Sequence, residues 1–145
     1  MRIAIGCDHR GLNFKQFVIK IIAGAGHNHE DFGCYTSDLV DYPDIAKSVA
    51  EAVAGGHYEF GILICGTGVG MCIASNKVKG IRAALGHNAF SARRAREHNN
   101  ANILCLAAEE GKALVPSIIE TFLTTKFEGG RHQRRLDKIS KMESR

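Results

Sequence analysis

Tryptophan is absent from this 145-residue chain, proline occurs only twice, and aromatic residues make up 7%. So few aromatics leave no stacking platform for single-stranded nucleic acid. No finger spacing accompanies the basic residues either, so no nucleic-acid partner is expected. With two prolines there is no Pro/Ser-rich linker, and neither a low-complexity stretch nor a solenoid-length repeat is present. The apolar runs are too short to span a membrane, so none is expected as a partner. Cys-x-x-Cys is missing too. The five cysteines (Cys7, Cys34, Cys65, Cys72, Cys105) are an odd number with no secretory signal ahead of them, which predicts free thiols in a reducing cytoplasm. There is no HExxH, and His27-x-His29 lacks a carboxylate partner at ligand spacing; no metal is expected, and both histidines read as surface residues.

What is present fits one domain over residues 1–145. At this length folding buries roughly two thirds of the unfolded chain's surface, so the core needs neither disulfide nor structural metal. The net charge of +4 is unevenly placed. Six Lys or Arg lie between Arg131 and Arg145 against Asp137 and Glu143 alone, so the whole surplus sits in a basic C-terminal arm, residues 129–145. A small anion such as a phosphate suits that arm.

Apolar runs bounded by turn residues read as buried parallel strands at Arg2–Gly6, Asn28–Phe32, Phe60–Cys65, Ile81–Leu85 and Ile103–Leu106. Helical spacing lies between them. Phe14, Phe17, Val18, Ile21 and Ile22 form one face, stopped by Gly24 and Gly26; Ile45, Val49, Ala52 and Val53 form a second, entered at Pro43. A third helix is predicted from about Val69 to Lys79–Gly80, a fourth over Asn88–His98, and a fifth through Leu114–Leu123 with Pro116 in its first turn. Strand and helix alternating five times predict an α/β fold: three α/β/α layers, Rossmann-like, around a five-stranded parallel sheet. Ligands of such folds sit beyond the carboxyl ends of the strands.

Two strand ends, a helix end and the arm carry the candidate chemistry. Asp8 and His9 follow the first strand, where Asp8 either faces a ligand or caps the next helix. After the third strand, Cys65-Gly66-Thr67-Gly68-Val69-Gly70 turns tightly and aims backbone N–H groups upward, a nest for a negative oxygen. Met71 stands where a dinucleotide fingerprint needs glycine, and no Walker lysine follows, which disfavours NAD and nucleoside triphosphates. Cys65 abuts the nest, a setting that favours its thiolate as nucleophile or base; the alternative is a thiol that merely packs. The other four cysteines read as packing residues. His98 and Asn99 end the fourth helix, as ligands or as caps. Arg131 and Arg135, four apart, share a face if helical and can close on one phosphate; otherwise the segment is a solvated helix packed through Leu136, Ile139 and Met142.

The stretches Gly6-Cys7-Asp8-His9, Asp41-Tyr42-Pro43, Ile64 to Gly70, Ala74 to Lys77, Gly80 to Ala83, Ser91 to Arg93, Arg96 to Asn99 and Phe127 to Arg135 together resemble the type B ribose-5-phosphate isomerases, a group that includes galactose-6-phosphate isomerase subunits. The resemblance implies a single sugar-phosphate isomerase domain and a metal-free, cofactor-free enediolate mechanism within the non-oxidative pentose phosphate pathway. It also implies a homodimer, or a tetramer built from it, with active sites at the subunit interface. Carried onto this chain, Cys65 is the base, and the Gly66–Gly70 backbone (Gly66, Gly68, Val69, Gly70) with Thr67 holds the enediolate oxygen. His98 opens the sugar ring, and Asp8 and Asn99 grip hydroxyls. His9, Arg131 and Arg135 take the phosphate, and Tyr42 lines the pocket. His98 and Asn99 serve the neighbouring subunit. A hexose 6-phosphate such as allose or galactose 6-phosphate, or a non-catalytic sugar-phosphate-binding module, are the alternatives. One stretch departs from the family: after the fifth strand Glu109 and Glu110 stand where the resemblance implies a Gly-x-Arg-Val run with a cation, so either phosphate affinity is weakened or Arg134 or another base compensates.

Overall fold

Strands buried on both faces need apolar residues at every position, and the two sides of this sheet collect different sets. The computed structural model describes residues 1–143; Arg145 of the basic arm lies outside them. The strands are β1 (Arg2–Cys7), β2 (Asn28–Asp31), β3 (Phe60–Cys65), β4 (Ala83–Leu85) and β5 (Ile103–Ala107). The helices are α1 (Leu12–Gly24), α2 (Tyr42–Ala54), α3 (Val69–Ser75), α4 (Ala89–Asn99), α5 (Val115–Thr124) and α6 (Arg131–Met142). Ile3, Ile5, Ile62, Ile64, Leu104 and Leu106 pack against Phe14 and Val18 of α1, Ala92 of α4 and Phe122 of α5. Their neighbours Ala4, Leu63, Cys65, Ile103 and Cys105 face Val49 and Val53 of α2 and Met71 of α3. The result is the three-layer α/β/α arrangement that the alternation predicts.

All pairings are parallel, in the order β2-β1-β3-β5-β4. From β1 the chain moves outward to β2, then crosses to β3 on the other side, so β1 and β3 flank the point where the winding reverses. Connections diverge there and leave a crevice beyond the strand ends. Asp8 follows β1 and Cys65 ends β3 at this crevice.

Two boundaries differ from expectation by more than one residue. α3 stops at Ser75 rather than near Lys79–Gly80, because the next N–H groups switch to tighter bonds three residues back, Lys77 to the Ala74 carbonyl (3.1 Å) and Val78 to that of Ser75 (3.1 Å). β4 begins at Ala83 rather than Ile81. A side chain takes the donor that would extend the ladder to β5, since Arg82 N–H goes to Asn102 Oδ1 (2.8 Å), while Ala83 N–H at the free edge goes to Asn76 Oδ1 (2.8 Å). Pro116 does lie in the first turn of α5, where its missing N–H costs nothing. In α6, His132 and Leu136 form the buried stripe, whereas Ile139 and Met142 are 40% and 62% exposed.

Candidate active site

The loop after β1 is tied to β3, since Asp8 N–H donates to the Ile64 carbonyl at 3.1 Å. Asp8 is buried, and its Oδ1 accepts the Arg10 N–H at 3.0 Å. It does not cap α1: the residue there is Gly11, with no side-chain cap. Its carboxylate fixes its own loop and faces the crevice.

At the end of β3 the Cys65 thiol is 5% exposed, and the Gly68 N–H points at its sulfur from 3.2 Å. Gly68 has φ +76°, and a Cβ there would fall 2.5 Å from Leu85 Cδ1 and 3.1 Å from the Leu106 backbone, so both conformation and space require glycine. Thr67 Oγ1 accepts the Val69 N–H at 3.2 Å and holds the turn into α3. Gly70 is needed for space alone, because the ring of Tyr42, first residue of α2, lies 2.6 Å from where its Cβ would be.

These elements enclose a cleft of about 430 Å³. Asp8, Tyr42, Cys65, Gly66, Thr67, Val69 and Gly70 line it, while Gly68 turns the backbone beneath. Arg10 and Ile73 also line it, and the sequence reading passed over both. For Arg10 a signal existed: a cation directly after Asp8-His9 in a strand-end loop.

His9, His98, Asn99, Arg131 and Arg135 do not line this cleft. The half-buried His9 accepts the Val40 N–H at Nδ1, 3.4 Å away. His98 and Asn99 occupy the last turn of α4, which ends at Asn100 with φ +46°. That end is held firmly. Arg96, buried, bonds to the Ala101 carbonyl (2.7 Å) and Asn100 Oδ1 (2.8 Å), and Arg82 Nε reaches the Asn99 and Asn100 carbonyls. Asn100 is thus the C-terminal cap, and His98 and Asn99 are left for other contacts.

His98 stacks on His132 of α6, ring centroids 4.3 Å apart and planes 15° from parallel. Glu128 Oε1 lies 3.3 Å from His132 Nε2 and 3.9 Å from His98 Nε2. The sequence reading missed His132 and Glu128, although positions 132 and 136 share the buried stripe of α6. The three ligand atoms fall within 4.8 Å of one another. Parallel rings nevertheless point their in-plane lone pairs alongside each other, so this geometry suits a carboxylate-held imidazole stack better than a metal. Burial, and then the nearby His98 and Arg131, hold the His132 imidazole below its ordinary range, with Glu128 pulling the other way. Arg131 and Arg135 are exposed on the same helix, adjoining this stack.

The remaining thiols divide in two. Burial pushes Cys7 up to about 12, and Cys105 is raised while sharing a hydrogen bond with Cys72. That hydrogen bond brings the half-buried Cys72 down to about 7, while its sulfur also donates to the Ala83 carbonyl at 3.4 Å.

The geometry agrees with what is found among known proteins. Ribose-5-phosphate isomerase B of Escherichia coli K12 is 43% identical over 145 residues, covering 99% of this chain and 97% of that protein. The solved Clostridium thermocellum ribose-5-phosphate isomerase B superposes with a TM-score of 0.97 at 47% identity, covering 99% and 98% of the two chains. The Mycoplasma genitalium ribose-5-phosphate isomerase B solved with bound ribulose-5-phosphate superposes with a TM-score of 0.94 at 44% identity, covering 99% of this chain and 96% of that one. The pattern of the Ribose/Galactose Isomerase family matches residues 3–139, from β1 into α6, and the chain belongs to that family.

Proposed function

We propose that this chain interconverts D-ribose 5-phosphate and D-ribulose 5-phosphate, with Cys65 as the base. The observation that carries the reading is Cys65 itself: a sulfur contacted by a backbone N–H at 3.2 Å, at the floor of a cleft lined by Asp8, Tyr42 and Thr67, in a chain of this family. Isomerisation removes the C2 proton of the open-chain aldose and returns a proton to C1. The hydroxyl proton moves, in net, from O2 to O1. Negative charge builds on the carbonyl oxygen, where fixed N–H donors count most, and the Gly66–Gly70 turn with Thr67 supplies them. Asp8 grips substrate hydroxyls.

His98 opens the sugar ring, Asn99 holds a hydroxyl, and His9, Arg131 and Arg135 take the phosphate. Those groups stand outside the cleft of their own chain, which supports a homodimer in which one subunit's His98 and Asn99 complete the other's site. The exposed Val69 and Ile73 at the cleft give such an interface apolar surface. Five free thiols support a reducing cytoplasm as the compartment.

The test is a coupled spectroscopic assay with ribose 5-phosphate, allose 6-phosphate and galactose 6-phosphate. Ribose 5-phosphate turnover is expected, and Cys65→Ser should lower kcat at least about a hundred-fold while the fold is kept, because a hydroxyl is the weaker base. Near-normal activity in that variant would remove Cys65 from the mechanism. Silence of the wild type on all three sugars would favour a sugar-phosphate-binding module.

A further inference from the structure

We infer that Arg10 is the cleft's own anion contact, held over Gly66 by Glu109, and that it takes the phosphate of the sugar substrate. The inference rests on the isomerase reading above for the identity of the anion. Among the described residues that line the cleft, Arg10 is the one cation. Its Nη1 lies 2.9 Å from Glu109 Oε1, and the pair crosses directly above the residue after Cys65. A Cβ on Gly66 would fall 2.9 Å from that carboxylate oxygen and 3.1 Å from Arg10 Nη1.

Both side chains spring from fixed backbone. The Arg10 N–H is anchored on Asp8 Oδ1 at 3.0 Å, and the Glu109 N–H on the Gly66 carbonyl at 3.0 Å. The side chains themselves are 62% and 56% exposed. A pair so exposed adds little to stability, so its placement at the cleft is the informative feature. One guanidinium nitrogen is occupied by Glu109, and the rest of the fork is left to donate to an incoming dianion. The carboxylate at position 109 thus serves to aim the cation supplied by position 10. Glu109 is a positioning residue in this arrangement and Arg10 is the binding group.

Steady-state kinetics of the full chain with ribose 5-phosphate, and inhibition by inorganic phosphate, test this in Arg10→Ala, Arg10→Lys, Glu109→Ala and the Arg10→Ala/Glu109→Ala pair. Arg10→Ala is expected to raise both KM and the phosphate inhibition constant about ten-fold, with kcat moving far less, and lysine should recover part of the loss. Glu109→Ala should raise KM by about three-fold alone and add nothing in the Arg10→Ala background, since it acts through Arg10. KM and inhibition within two-fold of wild type in Arg10→Ala would overturn the assignment. A full additive effect of Glu109→Ala would overturn the positioning role. If the wild type turned over no sugar phosphate, calorimetric titration with inorganic phosphate would still decide the site: binding lost in Arg10→Ala supports it, and binding unchanged or absent overturns it.

Discussion

Cys65 and Cys72 lie seven positions apart in the chain, and what touches each sulfur separates their roles. Cys65 receives a backbone N–H in a cleft, whereas Cys72 shares a hydrogen bond with the buried thiol of Cys105, which brings it to about 7. In the Cys65→Ala background, iodoacetamide is therefore expected to label Cys72 with a rate that rises through a midpoint of about pH 7, read by mass spectrometry. Cys7 and Cys105, buried and raised, should stay unlabelled in the folded protein. A Cys72 rate that climbs only above about pH 8.5, as for an ordinary thiol, would contradict the pairing. Cys65 was legible because its cue is local: three glycines follow a strand end. Cys72 was not, because its partner comes from β5, and nothing in the sequence around position 72 announces it. Arg10 carried a local cue beside Asp8 and His9, but its partner Glu109 is joined to it only after β5 has been laid beside β3.

The short turn between β3 and α3 is the element on which the candidate site depends, and its glycines predict unequal outcomes. Gly68→Ala forces a side chain into a φ of +76° and against the Leu106 backbone, so a loss of about 2–4 kcal/mol in urea denaturation is expected. Gly70→Ala meets only the ring of Tyr42, which is 40% exposed and free to swing outward. Its stability cost should stay below about 1 kcal/mol, with the damage appearing instead in KM. Equal destabilisation by the two substitutions would contradict this division. At the α4–α6 contact, His132 takes up a proton less readily in the folded state than in the unfolded one. The folded chain therefore binds fewer protons than the unfolded one below the ordinary imidazole value of about 6.5. The stability it contributes is present above that value and is lost as pH falls toward the depressed one. Urea midpoints should thus drop more between about pH 7.5 and 5.5 in the wild type than in His132→Gln, and identical drops would refute the assignment. At this scale the sequence placed the five strands and the first five helices, left α6 conditional, and misjudged the end of α3 and the start of β4. Periodicity reports apolar positions and does not see that the Asn76 and Asn102 side chains take the donors of the chain between them.

For the whole molecule, the proposed dimer makes its own prediction. If Cys65 of one subunit works with His98 of the other, mixing inactive Cys65→Ala and His98→Asn proteins under subunit exchange should yield hybrids with one intact site in two. The mixture should then regain about a quarter of wild-type activity at full exchange, and no recovery despite proven exchange would place both groups in one chain. The sequence by itself determined the α/β alternation, the parallel sheet and which polar residues stand in the two strand-end loops. Each of these is written locally, in runs of buried apolar residues, in glycines that permit a turn, and in the residue that follows a strand. Only the tertiary structure decided the order β2-β1-β3-β5-β4, which sets the crevice between β1 and β3. It alone also separated Cys65 from His98 within one chain, stacked His98 on His132, and crossed Arg10 with Glu109 above Gly66. Those arrangements join side chains from distant parts of the chain through packing and electrostatics across the fold, so no stretch of sequence contains them.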